Sequence, residues 1–159
     1  MKARYYYIAG AIFLTYLIMG TQKAFGKVTE KNTARGCDAG GWGCGSFGAS
    51  RGARKHNGLD IKTTPNENIF SPIDGTVTRF PFPYGDDLKY TGIEIVNKDY
   101  KVKMFYLKAT VPVNSKVTKG QLIGNAQNIA AKYGTAMTNH VHVEVYDKSG
   151  TLLNPETLF

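Results

Sequence analysis

From Leu59 onward apolar and polar residues mostly alternate, the period-two pattern of half-buried strands. Leu59-Asp60-Ile61-Lys62 alternates and runs into turn residues from Thr63 to Asn68. Ile69 to Phe80 reads as two short strands around Asp74-Gly75, a hairpin signal. Gly92 to Asn97 is another alternating strand, and Asn97-Lys98-Asp99 turns the chain into a strand over Tyr100–Leu107, with Val102, Met104 and Tyr106 on one face. Val111-Pro112-Val113 and Val117 flank a polar turn, and Lys119-Gly120-Gln121-Leu122-Ile123-Gly124 ends a further strand. Ala126 to Tyr133 reads as one short helix or a loop, Asn139 to Tyr146 as the last long strand, and Asn154-Pro155 begins a terminal segment. Short strands with turn signals every roughly 8–12 residues predict an all-β, compact antiparallel domain with almost no helix.

Ahead of Leu59 the alternation is missing. Lys2 and Arg4 precede an apolar stretch from Tyr5 to Met19, about 15 residues where a spanning helix needs about 20. Basic-then-apolar order followed by small residues is that of a secretory signal. Ala24-Phe25-Gly26 places cleavage after Gly26; the rival reading is an uncleaved membrane anchor. Residues 27–36 are polar and irregular, and residues 37–55 are rich in Gly, Ser, Ala and Arg without apolar periodicity, so they read as loops. The only two cysteines, Cys37 and Cys44, lie in this stretch, and an even count in an exported chain reads as a disulfide. Glycines between them let so short a loop turn.

Charge adds little. The net charge of +8 falls to about +5 once Lys2, Arg4 and Lys23 leave with the signal. Such a chain suits polyanionic surfaces such as bacterial cell walls, and no basic run with interleaved aromatics argues for nucleic acid. An exported chain is secreted to the extracellular space or the periplasm, and it meets a membrane only if the N-terminal segment stays uncleaved.

The histidines change the picture. All three fall in two motifs, His56-Asn57-Gly58-Leu59-Asp60 and His140-Val141-His142. On strands, His140 and His142 share a face, and by the same count so do His56 and Asp60. Two imidazoles and one carboxylate supply three ligands to Zn²⁺ and leave the fourth position open, as in a catalytic zinc centre. One histidine is then left beside the metal, where an imidazole serves as acid or base. Glu144 reads either as a carboxylate that orients a ligand or as an exposed one, and Asn139 as either a support or a turn residue. Phe80, Phe82, Tyr84 and Tyr90 read as groove lining or as ordinary packing.

His-x-Gly-x-Asp at 56–60, Ser71-Pro72-Ile73-Asp74-Gly75-Thr76-Val77, Lys119-Gly120-Gln121-Leu122-Ile123-Gly124, His-x-His at 140–142 and Asn154-Pro155, in that order, resemble the M23 family of zinc metallopeptidases, the lysostaphin type. The resemblance covers residues 46–158. It implies a duplicated hybrid motif β-fold with a groove over an antiparallel sheet, Zn²⁺ as cofactor, and hydrolysis of peptide cross-bridges in peptidoglycan. It implies His56, Asp60 and His142 as metal ligands and His140 as a catalytic histidine that does not bind metal. A second catalytic histidine of the family belongs in a Tyr-x-His-Leu pattern; here the strand reads Met104-Phe105-Tyr106-Leu107, so Tyr106 stands in its place. A phenol titrates near pH 10 and cannot do imidazole chemistry at neutral pH, yet it can donate to an oxyanion. That departure, with Lys103-Met104-Phe105-Tyr106 and the close cysteine pair, resembles the leukocyte cell-derived chemotaxin 2 branch, which implies the alternative of a catalytically impaired zinc-binding recognition or signalling module. Asp74-Gly75-Thr76-Val77 with Lys119–Gly124 is also similar to lipoyl and biotinyl carriers, but no lysine lies at a tight hairpin in the expected context. The expected organisation is a signal peptide or anchor over 1–26, a disulfide-stapled lead-in over 27–45 and an M23-like domain over 46–159.

Overall fold

The computed structural model describes residues 25–159. The expected leader, apart from Phe25 and Gly26, lies outside the described residues. Those two residues are packed. Phe25 is 4% exposed, its ring set edge-on to Tyr100 and Phe159, and the Gly26 N–H donates to the Pro72 carbonyl.

The architecture is antiparallel β, as the alternation predicts. A seven-stranded sheet is built on β11 (His140–Asp147). One flank of β11 pairs with β7 (Tyr100–Phe105), followed by β6 (Gly92–Val96), β5 (Gly75–Arg79) and β9 (Lys116–Val117). Its other flank holds β3 (Leu59–Lys62) and, further along, β12 (Leu152–Leu153). A three-stranded sheet has the order β4 (Asn68–Phe70), β10 (Leu122–Ala126), β8 (Leu107–Ala109). The inward residues of both sheets, among them Ile61, Ile93, Ile95, Met104, Val143, Ile69 and Ile123, form one buried cluster. Each such side chain contributes about 1.5–3 kcal/mol on burial, and this cluster fixes the register of β3 on β11. A one-residue slip would turn every inward side chain outward.

Three expectations are revised. The two strands flanking Asp74-Gly75 do not form a hairpin: β4 and β5 belong to different sheets. Backbone and side-chain groups of the intervening turn are bonded elsewhere. Pro72 O accepts from Gly26, Ser71 O from Gly120, and Asp74 Oδ1 from Lys119 N–H, so the turn joins the two sheets. The strand expected over Tyr100–Leu107 breaks at Tyr106, whose φ of +67° is left-handed. That residue interrupts the alternation, so Tyr106 faces the groove with Phe105 while Val102 and Met104 stay in the core. Within the loop region, β1 (Ser50–Arg51) and β2 (Arg54–Lys55) form a small ribbon with no apolar face to announce it. The stretch Ala126–Tyr133 holds one helical turn, α1 (Ala130–Tyr133), and a 3-10 turn over Pro155–Thr157 follows β12. Cys37 and Cys44 form the expected disulfide.

Candidate metal centre

Register on the large sheet makes half of the site. Asp60 on β3 lies directly opposite His142 on β11, a pairing that brings Cβ atoms within about 5 Å. His140 is two residues earlier on the same face, and its Nε2 stands 3.8 Å from Asp60 Oδ2. His56 arrives differently from expectation: it follows β2, outside β3, and is held by backbone bonds to Ala49 and Gly48. Gly58 then lets the chain approach β11, since a Cβ there would sit 2.4 Å from the Val143 carbonyl and 2.7 Å from the His142 ring. The glycine of the first motif is therefore required by contact with the histidine of the second.

His56, Asp60 and His142 each offer one ligand atom, and the three atoms lie within 4.8 Å of one another. His56 Nε2 is 2.9 Å from His142 Nδ1, Asp60 Oδ1 is 2.8 Å from His142 Nδ1, and 3.2 Å from His56 Nε2. The outer atoms of both rings are engaged. His56 Nδ1 donates to the Ser46 carbonyl at 2.8 Å, and His142 Nε2 faces Glu144 Oε1 at 3.4 Å. With an N–H on each outer nitrogen, both inner nitrogens present lone pairs to a carboxylate oxygen. Positive charge is favoured where these atoms meet, whether a proton on His142 or a metal ion in its place, and the set of two imidazoles and one carboxylate fits zinc.

The electrostatics agree. Burial disfavours charge on Asp60, but hydrogen bonds to His142 and His56 and the field of His140 hold its carboxyl far below the usual carboxylate range. Burial likewise opposes charge on His142, yet Asp60 and Glu144 outweigh it and push its pKa up to about 9. The arrangement thus favours positive charge between Asp60 and Glu144. His140 goes the other way: burial lowers its pKa against the pull of Asp60. Its Nδ1 is 2.7 Å from the Thr138 carbonyl, so the Nδ1–H tautomer leaves Nε2 bare on the groove side.

Tyr106 sits edge-to-face on His140, with ring centroids 5.2 Å apart. Tyr133 donates to the Tyr84 hydroxyl at 2.9 Å, and Tyr84 donates to the Tyr106 hydroxyl at 3.1 Å. Within this row the Tyr106 proton is not used, and it remains available to an acceptor. Burial raises the Tyr106 pKa, keeping the phenol protonated. These side chains line a groove of about 480 Å³ whose rim carries Trp42 and Phe82.

The sequence model of peptidase family M23 matches residues 54–155. The chain belongs to peptidase family M23. Leukocyte cell-derived chemotaxin-2 of Mus musculus is 29% identical over 121 residues, 76% of this chain and 78% of that protein, so the resemblance to the chemotaxin branch extends well beyond the motifs. Among solved structures, the catalytic domain of the antimicrobial peptidase lysostaphin from Staphylococcus simulans matches with a TM-score of 0.54 and 19% identity, over 74% of this chain and 88% of that one. A zinc containing peptidase from Vibrio cholerae matches with a TM-score of 0.58 and 22% identity, over 84% of this chain but 39% of that one. At these identities the two structures share the fold.

In this M23 domain the structure brings together all five residues singled out in the sequence: His56, Asp60, His142, His140 and Tyr106. Glu144 is no free carboxylate; Tyr146 donates to its Oε2 at 2.7 Å while Oε1 faces His142. Asn139 accepts from Ala130 N–H and steadies the start of α1. Phe82 and Tyr84 line the groove, whereas Phe80 packs on the main core and Tyr90 is buried in a second cluster. Sequence reasoning missed Arg35, Asp38, Ser46, Tyr133 and Thr138. Ser46 acts through its carbonyl, which has no side-chain signature. Arg35 sits in a polar tract without periodicity, and nothing in the pattern marks it as buried. Among the described residues no helix is long and apolar enough to cross a membrane.

Proposed function

We propose that this M23 chain is a secreted zinc metalloendopeptidase that hydrolyses peptide bonds, with peptidoglycan cross-bridges as the substrate class. One observation carries the reading: three atoms able to ligate a metal lie within 4.8 Å of one another, in a groove shared with a fourth side chain, the imidazole of His140. His56, Asp60 and His142 would hold the ion, and Zn²⁺ at such a site supplies Lewis acidity toward a carbonyl and toward water. His140, kept neutral by burial and with its one ring proton placed on Nδ1 by the Thr138 carbonyl, takes a proton from the attacking water on Nε2 and returns it to the leaving amine. The Tyr106 hydroxyl, polarised by Tyr84, donates to the oxygen that gains charge. Trp42 and Phe82, both exposed at the groove, offer apolar surface to a peptide chain. Secretion through the N-terminal leader is part of this reading. Because Phe25 is buried, the leader end that preserves the packing precedes that residue.

A second reading is favoured by Tyr106 at the histidine position and by the likeness to chemotaxin-2: a zinc-binding recognition module with impaired turnover. Metal analysis of the purified chain paired with hydrolysis of peptidoglycan and oligoglycine separates the two. Zinc-dependent release of new amines supports the peptidase, whereas bound zinc without release supports the module. Absence of stoichiometric zinc sinks both.

A further inference from the structure

The irregular stretch ahead of the first histidine motif is bonded to the site rather than merely preceding it. Backbone bonds from Lys62 N to Thr33 O and from Arg35 N to Asp60 O lay residues 33–35 along β3, on the edge away from β11. The Arg35 side chain is only 1% exposed. Its Nη1 donates to Asp38 Oδ2 at 2.8 Å and its Nη2 to the Gly43 carbonyl at 2.9 Å. Its Nε, without a hydrogen bond, lies 3.4 Å from Asp60 Oδ2. Asp38 in turn accepts from Thr138, from the hydroxyl at 2.6 Å and from the N–H at 3.2 Å. The Thr138 carbonyl is the atom that holds His140 Nδ1. His140 Nε2 returns to Asp60 Oδ2 at 3.8 Å, closing a ring of contacts through five residues. The ring passes through the Cys37–Cys44 loop, and Gly45 lets it close, since a Cβ there would lie 2.9 Å from the Cβ atoms of both Arg35 and Asp60.

The two oxygens of Asp60 are thereby divided. Oδ1 faces His56 and His142, while Oδ2 faces Arg35, Arg51 and His140. Removing one partner of a buried guanidinium set beside two buried carboxylates strands the charges that remain, so these groups depend on one another's placement. We propose that Arg35 and Asp38 are positioning residues: Arg35 turns Asp60 so that one oxygen alone faces the ion site, and Asp38, through Thr138, fixes the Nδ1–H tautomer of His140. This rests on the reading of Asp60 as a ligand and His140 as the base.

The test uses the full chain with Arg35→Gln, the charge-keeping Arg35→Lys, Asp38→Asn and Thr138→Val. Zinc affinity is measured by competition with a chromophoric chelator, and the ring nitrogens of His140 by ¹H–¹⁵N correlation above neutral pH, with and without zinc. Arg35→Gln weakens zinc by roughly 10–100-fold, as removal of a group supporting a ligand does, and Arg35→Lys recovers part of the loss. Asp38→Asn and Thr138→Val keep zinc but turn the single His140 tautomer into a mixture, with kcat falling and KM unchanged. Folded variants with parental zinc affinity and a single unchanged tautomer overturn the proposal. If the parent binds no zinc, the metal reading falls, while the tautomer in the metal-free chain still supports or overturns the Asp38 arm.

Discussion

On one side of the groove, His56, Asp60 and His142 have their outward polar atoms engaged by a carbonyl, a guanidinium and a carboxylate. On the other side the Tyr106 side chain meets the Tyr84 hydroxyl, the rings of Tyr90 and His140 and the small apolar cluster of Tyr90, Ile129 and Met137, on a backbone held left-handed. The first side is built by sheet register and buried charge, where moving one atom leaves another unpaired. The second is built by aromatic packing, which accepts substitution. That difference explains how a tyrosine can occupy the position where the motif resemblance places a histidine without disturbing the proposed ion site across the groove.

The comparison breaks most visibly on the ion side. His56→Ala, Asp60→Ala and His142→Ala are each expected to abolish stoichiometric zinc, while His140→Ala retains it. Metal content of the purified variants by mass spectrometry checks this, and equal loss in all four would mean that His140 and His142 are misassigned. His140→Ala should then lower turnover by about 10²–10⁴-fold, the usual worth of a positioned general base, with zinc still bound.

Tyr106 tests the other side. Tyr106→Phe removes the hydroxyl and keeps the ring, and the loss of one such donor costs on the order of 10²–10³ in kcat. Tyr106→His should fold, because histidine is among the side chains that tolerate left-handed backbone, and it should raise turnover if the tyrosine cripples the site. Parental rates in both variants would leave Tyr106 as packing and confine the chemistry to the histidines.

How much of this was legible in the sequence follows the same division. The strand of His140 and His142 was readable because Val141, Val143 and Val145 alternate with the outward residues, and burial obeys that period. Tyr106 was found by its place in a motif, but its orientation was not, since nothing in Met104-Phe105-Tyr106-Leu107 reports a change of backbone hand. The hairpin expected at Asp74-Gly75 failed because Ser71, Pro72 and Asp74 bond to residues far along the chain, and local turn chemistry carries no record of distant partners. Arg35 and Asp38 stayed hidden because a buried charge looks, in sequence, like a surface one.

A smaller effect sharpens the account of how His142 is held. Glu144→Gln keeps the shape but weakens the acceptor facing His142 Nε2, and zinc affinity should fall by roughly tenfold, read by chelator competition. No change would mean that the backbone register alone orients the ring.

The smallest effect concerns a row of charges on the outer face of the large sheet that ends at the same ligand. Arg79 donates to Glu94 Oε2 at 2.9 Å and Thr78 to Oε1 at 2.7 Å. Glu94 pairs across the sheet with Lys103, and Lys103 lies 3.8 Å from Glu144. Burial disfavours the Glu94 carboxylate, but the bonds from Arg79 and Thr78 hold its carboxyl below its ordinary value of 4.5. The folded chain therefore binds fewer protons here than the unfolded chain, and the stabilisation is present above about pH 4.5 and lost as pH falls through the folded value. Glu94→Gln should cost at most about 1 kcal/mol at neutral pH, since Arg79 is largely exposed, and the gap from the parent should narrow in acid. Urea unfolding across a pH series measures it. A gap independent of pH would show that packing of the side chain, rather than its charge, carries the effect, and the row would then have no part in holding Glu144 against His142.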